Sequence, residues 1–191
     1  RIMEACRELG IESMMTSPAH PTGTDRVAEV AAATDADIYV NIQGDEPMLD
    51  PNTIDAAISP LLDTDQSEVQ VTNLVAEITS PQELIDTNTI KVVTTSDLWG
   101  VYLSRQAIPY PRDRQGLRHF KQVCVYGFRK PALLRFPEWG QAPLERAEGI
   151  ELLRFLENRV PVKFVEVVGG SVAVDTPEDL VRVNALLAEA N

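Results

Sequence analysis

Two aspartates each follow an apolar run of strand length and precede a segment that reads as helix. Asp45 lies in Gln43-Gly44-Asp45-Glu46-Pro47 after the run ending at Ile42, and Asp175 lies in Val174-Asp175-Thr176-Pro177 after Ser171-Val172-Ala173. Strands of an α/β sheet deliver functional loops at their carboxyl ends. Hard carboxylate oxygens there suit Mg²⁺, which takes one or two protein carboxylates and fills its shell with water and substrate phosphates. Each residue also has a plain use: Asp45 shapes the turn before Pro47, and Asp175 assists the start of the last helix. Their pairing on one sheet edge is what points to a metal.

A second group is His20-Pro21-Thr22-Gly23-Thr24-Asp25-Arg26, which sets a glycine and two hydroxyls directly before a helix. Free backbone N–H groups at such a start can hold an anion or a nucleobase edge. Arg26 adds charge to that site, or pairs with Asp25 or Glu29 at an ordinary capped helix start. The third group is the densest basic segment, Ser104 to Arg114 with Arg118, His119 and Lys121 beyond it. Its guanidinium groups either clasp a substrate carboxylate or offset surface acids. His20 and His119 show no metal-ligand spacing, and there is no Gly-x-Ser-x-Gly elbow. Cys6 and Cys124 read as small buried hydrophobes.

These groups need a scaffold of alternating strands and helices. Ile2, Cys6 and Leu9 share a helical face ending at Gly10, and Ile11 to Met15 is a short strand candidate. A helix over 24–33, with Thr24 or Asp25 as N-cap, leads to a buried parallel strand over 37–42. Residues 51–62 are helical and 68–78 strand-like. Residues 90–95 and 99–103 form a hairpin, 108–118 a loop, and 121–128 a strand. The strongest helical period runs from Pro143 to Asn158. A strand over 161–168 and a last helix from Pro177, capped by Thr176, close the chain. The pattern is that of one α/β domain.

Composition narrows the partners. The chain has 191 residues, 44% hydrophobic and 24% charged, so it folds as a globular protein. Seventeen Lys and Arg against 29 Asp and Glu leave a net charge of −12, which repels nucleic acid and anionic membrane surfaces. A polyanionic substrate would need local basic groups or a divalent cation. No apolar run approaches the roughly 20 residues of a membrane span, and two cysteines fit a reducing cytoplasm.

Six blocks, HPTGTDRVAEV (20–30), VNIQGDEPML (40–49), SRQAIPYPR (104–112), VYGFR (125–129), PLERAEGIELLRFLE (143–157) and VDTPEDLVRV (174–183), resemble in order and spacing the 3-deoxy-manno-octulosonate (Kdo) cytidylyltransferases. The resemblance implies a Rossmann-like, three-layer nucleotidyltransferase fold with a β-hairpin excursion for dimerisation, and a homodimer. It implies transfer of CMP from CTP to a 3-deoxy keto-sugar acid with release of pyrophosphate, feeding lipopolysaccharide or capsule assembly in a Gram-negative cytoplasm. It makes Asp45 and Asp175 the catalytic pair holding Mg²⁺, with Gln43 and Glu46 beside them. Gly23, Thr24, Asp25 and Arg26 would contact the nucleotide. Arg112, Tyr126 and Glu151 would face the sugar acid, with Arg112 the clasp for its carboxylate.

Three departures from the family pattern accompany this resemblance. The family's N-terminal strand and its Arg- and Lys-bearing triphosphate loop do not appear in these residues and are expected upstream of Arg1. Gln122 stands where many members have His, and Leu152 where the usual block has Gln. Both positions lie near the sugar in the family, so a related nonulosonic or amino-octulosonic acid stays open as the acceptor. A short, non-catalytic sugar- or nucleotide-binding paralogue is the remaining alternative.

Overall fold

The computed structural model describes residues 1–63, 65, 67–113, 115–169, 174 and 176–189. In chain order its elements are α1 (Ile2–Glu8), α2 (Gly23–Ala33), β1 (Ile38–Ile42), α3 (Pro51–Leu62), β2 (Val71–Glu77), α4 (Pro81–Ile85), β3 (Lys91–Thr94), β4 (Gly100–Ser104), β5 (Phe120–Arg129), α5 (Lys130–Trp139), α6 (Pro143–Glu148), α7 (Leu152–Glu157), β6 (Val162–Glu166) and α8 (Pro177–Glu189).

The long strand β5 organises the sheet, whose order is β4-β3-β5-β2-β6 with β1 also paired to β5. Strand β2 lies along one edge of β5. The other edge is shared: β1 pairs with residues 125–129, and β3 with 120–121. The two partners leave a fork over residues 122–124, where the site is built. The parallel strand expected at 37–42 is antiparallel to its partner, because β5 runs back between β1 and β2; the parallel pair is β2 with β6.

Helices cover both faces, giving three layers. On one face Ala28 and Ala31 of α2, Leu133 and Phe136 of α5, and Leu153 and Phe155 of α7 pack against Val71, Val75, Tyr126, Phe128 and Phe164. On the other, Ala57 of α3 meets Leu74, Ala76, Val123 and Val125. Burial on both faces explains why β2 is buried over six successive residues. Gly127 permits the close approach of α3. A Cβ there would sit 2.3 Å from Thr72 Oγ1 and 3.1 Å from the Ala57 carbonyl.

Two local expectations change, one helix was unforeseen, and the hairpin gains contacts to the sheet. Residues 11–15 form no strand, and α1 buries none of its residues. The helix expected over 143–158 is two, α6 and α7, because Gly149 takes a left-handed conformation (φ 65°) that ends α6. Helix α5 was hidden in the sequence by Pro131 and Pro137, although Ala132, Leu133 and Phe136 form its buried stripe. The β3–β4 hairpin forms as expected but is built into the sheet. Beyond the β3–β5 pairing, Trp99 bridges Lys163 and the Phe164 amide donates to the Leu98 carbonyl. Glu148 fastens it further, accepting from Ser104 Oγ at 2.7 Å and the Arg105 amide at 2.9 Å. These bonds outweigh the effect of burial and hold the Glu148 carboxyl below its ordinary pKa.

Candidate active site

Strand β1 ends at Ile42, and the next residues turn across the fork. The Glu46 amide donates to the Gln43 carbonyl at 3.3 Å, and Gln43 Nε2 reaches the Tyr126 hydroxyl at 3.4 Å. Tight turning draws two carboxylates inward: Asp45 Oδ1 and Glu46 Oε2 are buried and have no hydrogen-bond partner among the described residues. A buried carboxylate oxygen without a donor or cation is costly, so both are open to a ligand. The Val174 amide donates to the Asp45 carbonyl at 2.8 Å, which places Val174, ahead of α8, against this turn. Asp175 itself lies outside the described residues, as does the strand candidate over 171–173.

Gln122, Cys124 and Tyr126 alternate along β5 and so share one face. Burial is the main cause that pushes the Cys124 thiol up to about 11, followed by the negative charge of Glu46. The Tyr126 hydroxyl is likewise held well above its ordinary value, first by burial and then by Cys124, Glu151 and Asp45. The structure therefore gathers Gln43, Asp45, Glu46, Cys124, Tyr126 and Glu151 into one acidic cluster beside the fork.

Glu151 reaches the site because Gly149 breaks the helix before it. Its Oε1 accepts from the Gly23 amide at 3.1 Å and its Oε2 from the Thr24 amide at 2.9 Å. The first amides of α2, expected to be free for an anion, are taken by a carboxylate of the chain itself, a favourable match at a helix N-terminus. The N-cap is Thr22, whose Oγ1 accepts from the Asp25 amide at 3.2 Å, in place of Thr24 or Asp25. Arg26 pairs with neither Asp25 nor Glu29; it donates to Thr16 Oγ1 and to the Ser17 carbonyl. Glu29 instead takes His20 and the Ser17 amide.

Asp25, expected against the nucleotide, spends its carboxylate inside the fold. Arg154, 1% exposed, donates to Asp25 Oδ1 at 3.0 Å and Oδ2 at 3.3 Å, and to Glu145 at 2.6 and 2.7 Å. It also donates to the Phe136 carbonyl, and its guanidinium carbon lies 3.7 Å from the Phe136 ring centroid. One cation thus ties α2, α5, α6 and α7 together just behind Gly23 and Glu151. Arg112 stands exposed on the 108–118 loop, and among the described residues no contact joins its side chain to the cluster.

Two positioning residues escaped the sequence reading. Arg154 is the lone cation within the apolar run Leu152 to Leu156, and Asn73 is the lone amide within the buried strand Val71 to Ala76. A polar residue inside an otherwise apolar element was the available signal for both.

A family model described as cytidylyltransferase matches residues 1–164. The 3-deoxy-manno-octulosonate cytidylyltransferase of Solibacter usitatus is 44% identical over 187 residues, covering 97% of this chain and 73% of the relative. The enzyme of the same name from Acidobacterium capsulatum is 43% identical, covering 98% of this chain and 76% of the relative. The chain belongs to the Kdo cytidylyltransferase family. A solved structure of CMP:2-keto-3-deoxy-manno-octonic acid synthetase complexed with CTP superposes with a TM-score of 0.92 at 34% identity, covering all of this chain and 78% of the other. The inositol-1-phosphate CTP transferase of T. maritima, 14% identical with a TM-score of 0.61, shares the fold. The nucleotidyltransferase architecture expected from the sequence is therefore the one observed.

Two outcomes follow from this geometry. Replacing Arg154 with Leu leaves Asp25 and Glu145 buried without their cation and lowers unfolding free energy by about 3–5 kcal/mol, measured by urea denaturation. The raised Cys124 pKa keeps the thiol protonated below about pH 11. At pH 8 its alkylation by iodoacetamide, followed by peptide mass spectrometry, is then roughly 100-fold slower than that of an unperturbed cysteine, and accelerates only as pH approaches that value.

Proposed function

We propose that this chain transfers a cytidylyl group from CTP to the anomeric hydroxyl of Kdo, releasing pyrophosphate. The unpartnered carboxylate oxygens of Asp45 and Glu46 at the end of β1 are the observation that carries this reading, together with the family to which the chain belongs. In the reaction the sugar hydroxyl oxygen forms a bond to the α-phosphorus. The bond from that phosphorus to the bridging oxygen breaks, pyrophosphate departs, and the hydroxyl proton is lost to base.

Such a displacement asks chiefly for orientation and neutralisation of charge. Mg²⁺ fits the donor set, since Asp45 Oδ1 is a hard, buried oxygen with no hydrogen-bond partner among the described residues. Asp45 and Asp175 would hold it, with Glu46 and Gln43 alongside. A bound Mg²⁺ supplies positive charge at the phosphates and helps fix the geometry of in-line attack.

The remaining residues position the reactants. Gly23 to Arg26 form the start of α2 beside the nucleotide, with Asp25 acting through Arg154 to hold that helix in place. Glu151, steadied by the Gly23 and Thr24 amides, and Tyr126, protonated at neutral pH, line the sugar side with Gln122. Arg112 on its exposed loop is the bidentate clasp for the sugar carboxylate. In this reading the chain is one nucleotidyltransferase domain and works as a homodimer in the cytoplasm, its product serving lipopolysaccharide or capsule assembly. Among the described residues no helix is long and apolar enough to cross a membrane.

The test is pyrophosphate release by the purified protein with CTP, Mg²⁺ and Kdo. We expect release that depends on all three, and a fall of at least about 100-fold in Asp45→Asn with circular dichroism unchanged. A near-normal rate in that variant, or no release with any 3-deoxy ulosonic acid, would contradict the proposal.

A further inference from the structure

We infer that Arg105 is a positioning residue: it bonds the carbonyls at the end of α6 and so fixes the break that turns Glu151 onto α2. This role rests on the function proposed above, in which Glu151 faces the sugar acid, and assigns part of that function to a side chain outside the acidic cluster.

A helix leaves its last carbonyls without donors of its own. Where α6 stops at Gly149, those carbonyls are met from across the fold. Arg105, directly after β4, donates from Nε to the Glu148 carbonyl at 2.6 Å and from Nη2 to the Gly149 carbonyl at 3.5 Å. A Cβ on Gly149 would stand 3.7 Å from that Nη2, so the guanidinium lies against the left-handed residue itself. A basic side chain often ends a helix by bonding its last carbonyls; here it comes from 43 positions earlier in the chain.

Glu151 is two residues beyond Gly149. Ile150 between them is buried in the apolar core. An apolar anchor keeps the joint from leaving the core but is not directional, whereas hydrogen bonds weaken steeply with angle and so fix rotation. The distinction matters because Glu151 places its two carboxylate oxygens on two successive amides, those of Gly23 and Thr24. A small rotation of the joint would break that two-point fit.

Arg105 is itself held at both ends of its main chain. Its amide donates to Glu148 Oε2 at 2.9 Å, and its carbonyl accepts from Lys91 Nζ at 2.5 Å. Lys91 is 0% exposed, and the same ammonium donates to the carbonyls of Asp86 at 2.7 Å and Thr89 at 2.6 Å, which uses all three of its donors. Arg105 Nη1 adds a bond to the Thr87 carbonyl at 2.9 Å. The side chain therefore starts from a fixed point and carries the geometry of the β3–β4 hairpin to the joint before Glu151.

The experiment is steady-state kinetics of pyrophosphate release, with Kdo and CTP varied in turn, on wild type, Arg105→Met, Glu151→Gln and the double variant. Misplacing a substrate-facing group by about 1 Å can cost roughly 100-fold. Arg105→Met keeps an apolar stem and removes the donors; it should lower kcat/KM for Kdo by about 10–100-fold and leave KM for CTP within about twofold. A merely structural role would instead lower kcat through loss of active protein and leave both KM values unchanged. Because Arg105 acts through Glu151, the double variant should lose no more than the weaker of the two single variants. Arg105→Lys, which keeps the charge without the planar fork, should fall between wild type and Arg105→Met; if Arg105→Met does not fold, the same cycle with Arg105→Lys decides.

Additive losses in the double variant, a rise in KM for CTP as large as that for Kdo, or an Arg105→Met that behaves as wild type would each overturn this role. So would a Glu151→Gln that uses Kdo as wild type does. In all of these cases wild type still releases pyrophosphate with Kdo, and the proposed function stands. Absence of release by wild type removes that function and the role of Arg105 with it.

Discussion

A carboxylate or amide oxygen taken out of water must be met by a donor or a cation, and this fold divides its buried acceptors by how that demand is met. Asp25 and Glu145 are met from within, by the five-donor fork of Arg154. The Glu151 carboxylate is met by the first two amides of α2. Among the described residues, Asp45, Glu46 and Gln122 each keep one buried oxygen unanswered. The first two groups lock the helices α2, α6 and α7 to one another, and two of the third lie in the turn after β1.

The sheet makes this division possible. Because β1 and β3 share one edge of β5, the strand is uncovered by a neighbour just where Gln122 and Cys124 lie, and the turn after β1 crosses that opening. The two-residue slip at Asn73 supplies the amide that sets the direction of Gln122. Pre-organisation of this kind fixes the site before substrate arrives, so little ordering remains to be done in the complex.

Much of this was legible in the residues. Asp45 could be placed at a strand end because an apolar run stops abruptly at Gln43, and the β3–β4 hairpin and the Thr176 cap of α8 followed from local turn and capping chemistry. What could not be read were relations across the chain. Nothing local says that β5 returns between β1 and β2, so β1 looked parallel to its neighbour. The helical period from Pro143 to Asn158 hid the break at Gly149, whose purpose is tertiary: it turns Glu151 onto helix α2, more than 120 positions earlier in the chain. Asp25 looked like a ligand-facing residue because its partner Arg154 is equally remote. Local pattern reports which face is apolar, whereas a buried ion pair is a property of the assembled core.

The open oxygen of Asp45 is proposed to hold a divalent cation against the nucleotide. Anomalous scattering from a crystal grown with Mn²⁺ and CTP locates such an ion directly. The prediction is a manganese peak at about 2.1 Å from a carboxylate oxygen of Asp45, with the triphosphate on its far side. Manganese bound elsewhere, with the Asp45 carboxylate turned to protein donors, would contradict it.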